Sequence, residues 1–499
     1  MNEKTVIRRL PTGVAGLDAI LGGGLPEYSF NIIIGPPGSG KTTLVNQIMF
    51  SLATREKPAL FFTVLGEPPL KMLRYQQQFS FFNPDKVNDT IRFVSLSEDI
   101  ASGDYDRVLA RIAQEVQVSP PGLVFVDSFR SVMYEARQLP RDTINLQQFI
   151  QQLGIQLSCW QATSFLIGEY SSESEYHPVF TVADGLLSLH QSVYRNSMVR
   201  KIQVLKMRGQ ATSPGMHTLS ITSAGIAVYP TALVLDTIGG ASSVAGKPCR
   251  RVRLATGVAR LDEMLGGGLP SGYSLLVAGP SGSGKTVLAT AFLAEGVRRG
   301  EPGVIVAFEQ TPNQSCMRTL YDMICNGQVG LINTRSLDLS IDEIVYRLTE
   351  LIQRMNAARV VIDSLSGFEL AVAPTFREDF RESLFRMFTV LSKLGVTVLM
   401  TSELEDRYND LRFSPYGAAF LTDAIIVQRY IEVGSRLQRV MAVVKVRASA
   451  HNKEIRRYEI TDEGIVIGDP VLDYEGILGG QPSLIRTEDT IKGGKQQCA

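Results

Sequence analysis

Two eight-residue segments, GPPGSGKT at 35–42 and GPSGSGKT at 279–286, combine closely spaced glycines with a lysine and a threonine. Each follows a short apolar run and precedes a segment of helical character, which is the context that a phosphate-binding loop requires. Glycines let backbone N–H groups curl around a phosphate, and the following helix directs its positive N-terminus at that anion. Because the motif occurs twice, a chance glycine turn is a poor explanation, and the spacing predicts two triphosphate sites.

The chemistry of these sites assigns a role to each polar side chain. Lys41 and Lys285 are predicted to reach the β- and γ-phosphates, and Thr42 and Thr286 to bind Mg²⁺. The other residues predicted to hold the nucleotide are Gly35, Pro36, Pro37, Gly38, Ser39, Gly40 and Thr43 in the first loop, and Gly279, Pro280, Ser281, Gly282, Ser283, Gly284 and Val287 in the second.

Two apolar runs, LVFVD and VVID, end at Asp127 and Asp363. An aspartate at the end of a buried strand after a phosphate-binding loop is typical of the carboxylate that holds the Mg²⁺ shell. The alternative interpretation is a cap for the following helix. The order along the chain favours the metal role.

The whole pattern is duplicated. TGVAGLDAILGGG at 12–24 returns as TGVARLDEMLGGG at 256–268. Corresponding residues lie 236 to 244 positions apart, as in the pairs Thr12 and Thr256, Lys41 and Lys285, Asp127 and Asp363, and Lys206 and Lys445. A tandem duplication with small loop differences follows.

Short β-branched runs alternate with longer amphipathic segments in each half, for example at 31–34, 60–64, 123–126 and 164–167. This alternation predicts an α/β fold with a mostly parallel sheet flanked by helices. We expect domains at 1–235 and 248–470, a Gly- and Ser-rich linker at 236–247, and a C-terminal tail at 471–499.

Composition counts against nucleic-acid-binding, secreted and membrane-spanning proteins. Lys and Arg together number 50, as do Asp and Glu, so a bulk polyanion partner such as nucleic acid has no support from charge. The sequence shows neither a secretory signal nor an apolar run long enough for a membrane helix. Five scattered cysteines without a CxxC motif indicate reduced thiols. A cytoplasmic protein is expected.

The TG-x-x-x-LD-x-x-LGGGLP segment before each loop, the strand-end VDS and IDS, and the late K-x-R motifs together resemble the KaiC family of RecA-like ATPases. The resemblance covers roughly residues 5–470. It implies two tandem RecA-like P-loop NTPase domains, a double-ringed homohexamer with ATP at subunit interfaces, and ATP hydrolysis.

The resemblance also assigns roles to individual residues. Glu309 in AFEQTP matches the glutamate that polarises the attacking water, although the family's second glutamate is Gln310 here. Lys445 and Arg447 match the segment that reaches the neighbour's nucleotide, where cations supplied in trans stabilise the transferring phosphoryl group. Lys206 and Arg208 are the counterparts in the first half. The alternative for Lys445 and Arg447 is a charged edge strand facing water.

The first half departs from the family pattern. Its two glutamate positions hold Leu65 and Gly66, and Glu67 lies one residue further on. LPEYSF also lacks the glycine that LPSGYS provides at Gly272. We therefore expect the first domain to bind ATP and to hydrolyse it slowly or not at all.

The segment AAFLTDAIIVQRY resembles the region that carries adjacent phosphosites in the clock members. Those two positions hold Ala419 and Phe420, neither of which has a hydroxyl, whereas Thr422 survives nearby. Clock-type autophosphorylation is therefore not the expected activity.

Three functions stay open at this point. The chain could be an ATPase that signals to a protein partner, a nucleotide-gated scaffold with vestigial hydrolysis, or a DNA motor on the same core. Glu309 with Lys445 and Arg447 favours the first, Leu65, Gly66 and Gln310 favour the second, and the charge balance counts against the third.

Overall fold

The computed structural model describes residues 7–63, 69–101, 105–127, 142–168, 179–194, 197–231, 252–308, 318–333, 340–372, 380–404, 418–433, 435–472, 474–475 and 483–484. The chain divides into two compact units, residues 1–240 and 241–499. The expected linker at 236–247 lies outside the described residues.

The first unit alternates strands and helices in the order that the sequence predicts. Its strands are β1 (Arg9–Leu10), β2 (Leu25–Pro26), β3 (Phe30–Ile34), β4 (Ala59–Thr63), β5 (Ile91–Ser95), β6 (Leu123–Asp127), β7 (Thr163–Gly168), β8 (Gly185–Tyr194), β9 (Ser197–Met207), β10 (Met216–Thr222) and β11 (Gly225–Tyr229). Its helices are α1 (Leu17–Leu21), α2 (Lys41–Leu52), α3 (Pro69–Gln76), α4 (Ser97–Ala101), α5 (Tyr105–Val118), α6 (Asp142–Cys159) and α7 (Val179–Val182), with a 3-10 turn at Pro84–Lys86.

The second unit repeats this succession. Its strands are β12 (Arg253–Leu254), β13 (Leu269–Pro270), β14 (Ser274–Gly279), β15 (Gly303–Ala307), β16 (Val329–Asn333), β17 (Arg359–Asp363), β18 (Thr397–Glu403), β19 (Ala424–Val433), β20 (Arg436–Val446), β21 (Arg456–Thr461), β22 (Gly464–Pro470), β23 (Tyr474–Glu475) and β24 (Ser483–Leu484). Its helices are α8 (Ala259–Met264), α9 (Lys285–Arg298), α10 (Arg318–Cys325), α11 (Ile341–Met355), α12 (Leu365–Ala371), α13 (Phe380–Lys393) and α14 (Ala418–Leu421). Strands β23 and β24 pair with each other inside the segment expected to be a tail.

Both units build the same nine-stranded sheet from the described residues. The strand order is β11-β10-β9-β8-β3-β7-β6-β4-β5 in the first and β22-β21-β20-β19-β14-β18-β17-β15-β16 in the second. In the first unit the six strands from β8 to β5 are parallel, and β9 to β11 continue antiparallel. The predicted α/β class, with a mostly parallel sheet flanked by helices, is confirmed.

The core lies on both faces of each sheet, as a parallel sheet covered by helices requires. On β3, Ile33 joins one apolar cluster with α2, whereas Ile32 and Ile34 join a second cluster with α5 and α6. All five residues of β3 are buried, which explains why its sequence, FNIII, is almost continuously apolar. The central strand is therefore fixed from both sides, and the loop that follows it begins at a defined point.

None of the helices in the described part of the chain is long and apolar enough to span a membrane.

Candidate functional site

The two glycine-rich loops join the central strand of each sheet to a helix. The first loop leaves β3 after Ile34 and enters α2 at Lys41, and the second leaves β14 and enters α9 at Lys285. Gly40 and Gly284 precede these helices with φ of 102° and 93°. A Cβ on Gly284 would lie 2.7 Å from the terminal methyl of Ile460, which would have to shift, and the left-handed backbone itself favours glycine there.

Each loop lysine folds back over its own loop. Lys41 Nζ donates hydrogen bonds to the carbonyl oxygens of Gly35 and Pro36 at 2.9 Å. Lys285 Nζ does the same to Gly279 at 2.9 Å and to Pro280 at 2.8 Å. Both ammonium groups are thus held against the loops whose amides are expected to receive phosphate.

A threonine and an aspartate meet at the mouth of each loop. Thr42 Oγ1 donates to Asp127 Oδ2 at 2.8 Å, and Thr286 Oγ1 donates to Asp363 Oδ2 at 2.8 Å. Hard oxygen atoms of this kind suit Mg²⁺, which usually keeps several waters and takes few protein ligands. The residues present therefore fit a magnesium ion shared with substrate phosphates, as the sequence predicts.

In the second site a further threonine bonds the aspartate. Thr401 Oγ1 donates to Asp363 Oδ1, the oxygen that Thr286 does not contact. The strand register places Ile167, a side chain without a hydroxyl, at the position of the first unit that corresponds to Thr401. Sequence motifs did not indicate Thr401, because it lies 38 residues beyond Asp363 on a different strand.

A cavity of about 320 Å³ lies over the second loop. Ile305 and Ile460 supply apolar wall, whereas Lys285, Asp363 and Glu403 contribute charged groups. Glu403, at the end of β18, is exposed and was not identified from the sequence. The only signal for it in the sequence is its place after the β-prone run VLMTS, at the end of a strand.

The two K-x-R pairs have matching surroundings. Lys206 Nζ donates to the carbonyl oxygens of Phe180 and Thr181 at 3.0 and 3.1 Å, and Arg208 Nη1 pairs with Asp184 Oδ1 at 3.1 Å. Burial and the neighbouring arginine lower the pKa of Lys206, although Asp184 acts in the opposite direction.

In the second unit, Lys445 Nζ donates to the carbonyl of Thr422 at 2.7 Å, and Arg447 Nη1 pairs with Asp423 Oδ1 at 3.2 Å. The pKa of Lys445 is lowered by burial first and by Arg447 second. Strand β20 pairs with β19 along most of its length and with β21 only at residues 439–441, so the alternative of a solvated strand edge stays open at the end that carries Lys445.

The K-x-R pair and the glycine-rich loop of one unit lie at opposite edges of the sheet, the pair where the central parallel strand begins and the loop where that strand ends. Asp423, the partner of Arg447, accepts the backbone N–H of Ser274 at 3.1 Å, which is the first residue of β14. The loop begins only where β14 ends at Gly279. At about 3.3 Å per residue, the strand separates the two groups by roughly 16 Å. Asp184 bonds the N–H of Phe30 at the start of β3 in the same way. Neither pair can therefore reach the loop of its own unit.

The sequence profile of the KaiC ATPase family matches residues 10–232 and 254–471. The chain belongs to the KaiC family. Both repeats are matched, which confirms the duplication and the resemblance seen in the motifs.

Three relatives illustrate the similarity to members of the KaiC family. Circadian clock protein KaiC3 of Synechocystis is 27% identical over 96% of this chain and 95% of its own length. The circadian clock oscillator protein KaiC of Rippkaea orientalis is 26% identical over 98% and 94%. The protein of the same name from Picosynechococcus is 25% identical over 97% and 94%.

Several residues assigned by resemblance to the KaiC family lie outside the described residues. They are Glu309 and Gln310 in the second half, and Leu65, Gly66 and Glu67 in the first. Phe308, immediately before Glu309, bonds the carbonyl of Asp363 through its N–H at 3.1 Å. The polypeptide thus approaches the second site directly before this glutamate.

In the segment that is similar to the KaiC phosphosites, neighbouring side chains differ in their exposure to solvent. Phe420 is 76% exposed, whereas Thr422 is completely buried. A buried hydroxyl cannot meet a phosphate donor without local opening, so Thr422 is a poor acceptor in this conformation.

Proposed function

We propose that this chain is a ring-forming ATPase that binds Mg·ATP at subunit interfaces, hydrolyses it mainly in the second domain, and transmits the cycle to a protein partner. The observation that carries this proposal is the opposite-edge placement of the loop and the K-x-R pair. Because neither pair reaches the loop of its own unit, we infer that a loop gains those cations from another copy, and head-to-tail repetition of such a contact forms a ring when the rotation between copies closes.

The residues divide the work of hydrolysis between two copies. Backbone amides of the second loop and Lys285 grip the phosphates, while Thr286 and Asp363 offer oxygens to Mg²⁺. Bound there, Mg²⁺ would neutralise charge on the β- and γ-phosphates. Glu309 orients and deprotonates the attacking water, and Lys445 and Arg447 of the adjacent copy stabilise the negative charge that develops on transfer.

The first domain is proposed to bind ATP and to hold the ring together. Its loop, Lys41 and the pair formed by Thr42 and Asp127 match the second domain in geometry. It lacks the hydroxyl that Thr401 gives to Asp363, and its glutamate positions hold Leu65 and Gly66. Lys206 and Arg208 would contact the neighbour's nucleotide. A hexamer in the cytoplasm is the assembly that we infer from the family.

A second candidate, a nucleotide-gated scaffold with little hydrolysis, is favoured by Gln310. An amide can hold a water but cannot accept its proton, so only Glu309 remains as a base in that segment. The two candidate functions predict different rates of ATP turnover and the same assembly of copies.

The deciding experiment is steady-state phosphate release with particle mass measured in parallel. We expect Lys285→Ala and Glu309→Gln to abolish most turnover in an intact ring, since each lacks a group needed for transfer. We expect Lys41→Ala to loosen assembly and to leave turnover per ring largely intact. Equal loss of turnover from Lys41→Ala and Lys285→Ala would refute the division of labour, and a monomer with or without nucleotide would refute the ring.

A further inference from the structure

The second glycine-rich loop is hydrogen-bonded to two neighbouring strands. Ser283 Oγ donates to Gln428 Oε1 on β19 at 3.1 Å, and Tyr458 Oη on β21 donates to the Ser283 carbonyl at 2.5 Å. Ser283 and Gln428 are completely buried and Tyr458 is 2% exposed. Both the side chain and the backbone of one loop residue are therefore fixed from the sheet.

The first loop lacks both bonds. The strand register places Leu189 where the second unit has Gln428, and Leu219 where it has Tyr458. Ser39, the counterpart of Ser283, is 1% exposed, and its hydroxyl has no hydrogen-bond partner among the described residues. The same loop geometry is thus supported by apolar packing in one unit and by polar bonds in the other.

The fold itself does not require the polar pair. Leucine occupies both positions in the first unit, which builds the same sheet. Burying an amide is unfavourable unless it is hydrogen-bonded, and the Gln428 amide nitrogen has no partner among the described residues. Burial raises the pKa of Tyr458, so its hydroxyl stays protonated and remains a donor. A role at the adjacent loop explains why both polar groups are there.

We propose that Gln428 and Tyr458 are positioning residues that hold the second loop in its anion-binding shape before nucleotide arrives. The first loop, without them, is ordered in part by the nucleotide itself. A preorganised loop loses less conformational freedom on binding, so it binds the same phosphates more tightly. The inference rests on the proposed function, because it assumes that the second loop binds ATP.

The test measures KM and kcat for ATP in the full-length chain carrying Gln428→Leu, Tyr458→Phe or both. Each substitution introduces a side chain that cannot make the bond. We expect the double variant to raise KM about tenfold, the size of one to two net hydrogen bonds. The kcat should change less than twofold, because the catalytic groups stay in place.

A matched control removes a buried hydroxyl at the other end of the sheet. Thr397 is completely buried, and its Oγ1 accepts the N–H of Gly272 at 2.9 Å. Thr397→Val should lower the melting temperature without raising KM, whereas a purely structural role for Tyr458 would make the two variants behave alike. That likeness would overturn the proposal.

A gain-of-function variant covers the case in which the double variant does not fold. Leu189→Gln gives Ser39 a hydrogen-bond partner. In a protein that also carries Lys285→Ala, it should tighten nucleotide binding by the first loop. The affinity is measured by calorimetry with a non-hydrolysable ATP analogue. Unchanged affinity of the first loop would contradict the inference.

If Lys285→Ala leaves turnover intact, the proposed function fails. If Lys285→Ala abolishes turnover and the double variant keeps the wild-type KM, this inference alone fails.

Discussion

Asp363 is the residue at which the two sites differ most directly. Both of its carboxylate oxygens accept a hydroxyl hydrogen bond in the second unit, from Thr286 and from Thr401. A carboxylate held at both oxygens has one orientation relative to the loop, so its geometry toward a metal shell is defined before substrate binds.

We expect Thr401→Val to lower kcat for ATP hydrolysis by about tenfold, because the bond that it removes ends on a charged group. Binding through the loop amides and Lys285 should persist, so KM should change little. The assay is steady-state phosphate release at saturating Mg²⁺, with Ile167→Val at the matching position of the first unit as the control. A kcat equal to wild type would show that Thr286 alone orients the aspartate.

Motifs predicted the residues of the glycine-rich loops, but they did not predict the residues that hydrogen-bond to the second loop. Lys41 and Lys285 stand at fixed positions within their loop motifs, and each aspartate follows its loop in the same order at the end of an apolar run, because one chemistry constrains them together. Gln428 and Tyr458 lie 145 and 175 residues from Ser283 and are part of no motif. The available signals are a glutamine inside the apolar run AIIVQRY and a tyrosine where the first half has leucine.

The missing glycine in the first half has a visible consequence. Gly272 has φ of 78°, and Tyr28, at the matching position, has φ of 64°. A non-glycine residue in this left-handed region costs about 1–2 kcal/mol. The glycine that the first half lacks therefore corresponds to a strained tyrosine at the turn before β3.

At the scale of elements, α9 carries the second loop's lysine at its start and an ion-pair cluster at its end. Glu295 accepts hydrogen bonds from Arg298 at 2.7 and 2.8 Å and from Arg299 at 2.6 Å. Chiefly through Arg298, and also through Arg299, these bonds hold the pKa of Glu295 at about 2, although burial acts in the opposite direction. The first unit has Ser51 at this position of α2, so the cluster is specific to the second unit.

This shift predicts a pH-dependent stability. Because the folded pKa lies below the unfolded value, the contribution of Glu295 is present above about pH 4.5 and is lost as pH falls toward 2. Glu295→Gln should therefore lower the melting temperature at pH 7, and the difference from wild type should narrow as pH falls from about 4.5 toward 2. Glu350→Gln, an exposed site on α11, is the control. A difference that stayed constant with pH would contradict this explanation.

The strands themselves were predictable, and their order in the sheet was not. Runs at 31–34, 123–126 and 164–167 fall on β3, β6 and β7, and residues 60–63 of the run at 60–64 fall on β4, since buried parallel strands are apolar throughout. The pairing of β3 with β7 joins residues more than 130 positions apart, which no local pattern encodes. The opposite-edge placement of the K-x-R pair follows from that order, so it too required the structure.

At the scale of the whole molecule, the proposed ring predicts complementation between inactive variants. Lys285→Ala removes a copy's own loop cation, and Arg447→Ala removes the cation lent to the neighbour. Mixed in equal amounts with subunit exchange, they should recover about a quarter of wild-type turnover, since half of the copies keep the loop and half of their neighbours keep the arginine.

The control for this mixture pairs Lys285→Ala with the double variant Lys285→Ala, Arg447→Ala, in which no copy keeps its lysine. It should stay inactive. Particle mass and a labelled subunit confirm that mixed rings form. Mixed rings without recovered turnover would mean that the arginine does not act between copies.

In the proposed ring, the distance between each loop and its K-x-R pair would also make turnover sensitive to dilution. An open string of subunits leaves a loop without cations at one end and a cation pair without a loop at the other, and a lone copy has no working site. Turnover per subunit should therefore drop once the protein concentration falls below the dissociation constant of the contact between copies. The cell could then regulate the output by the amount of protein it makes, with no separate inhibitor.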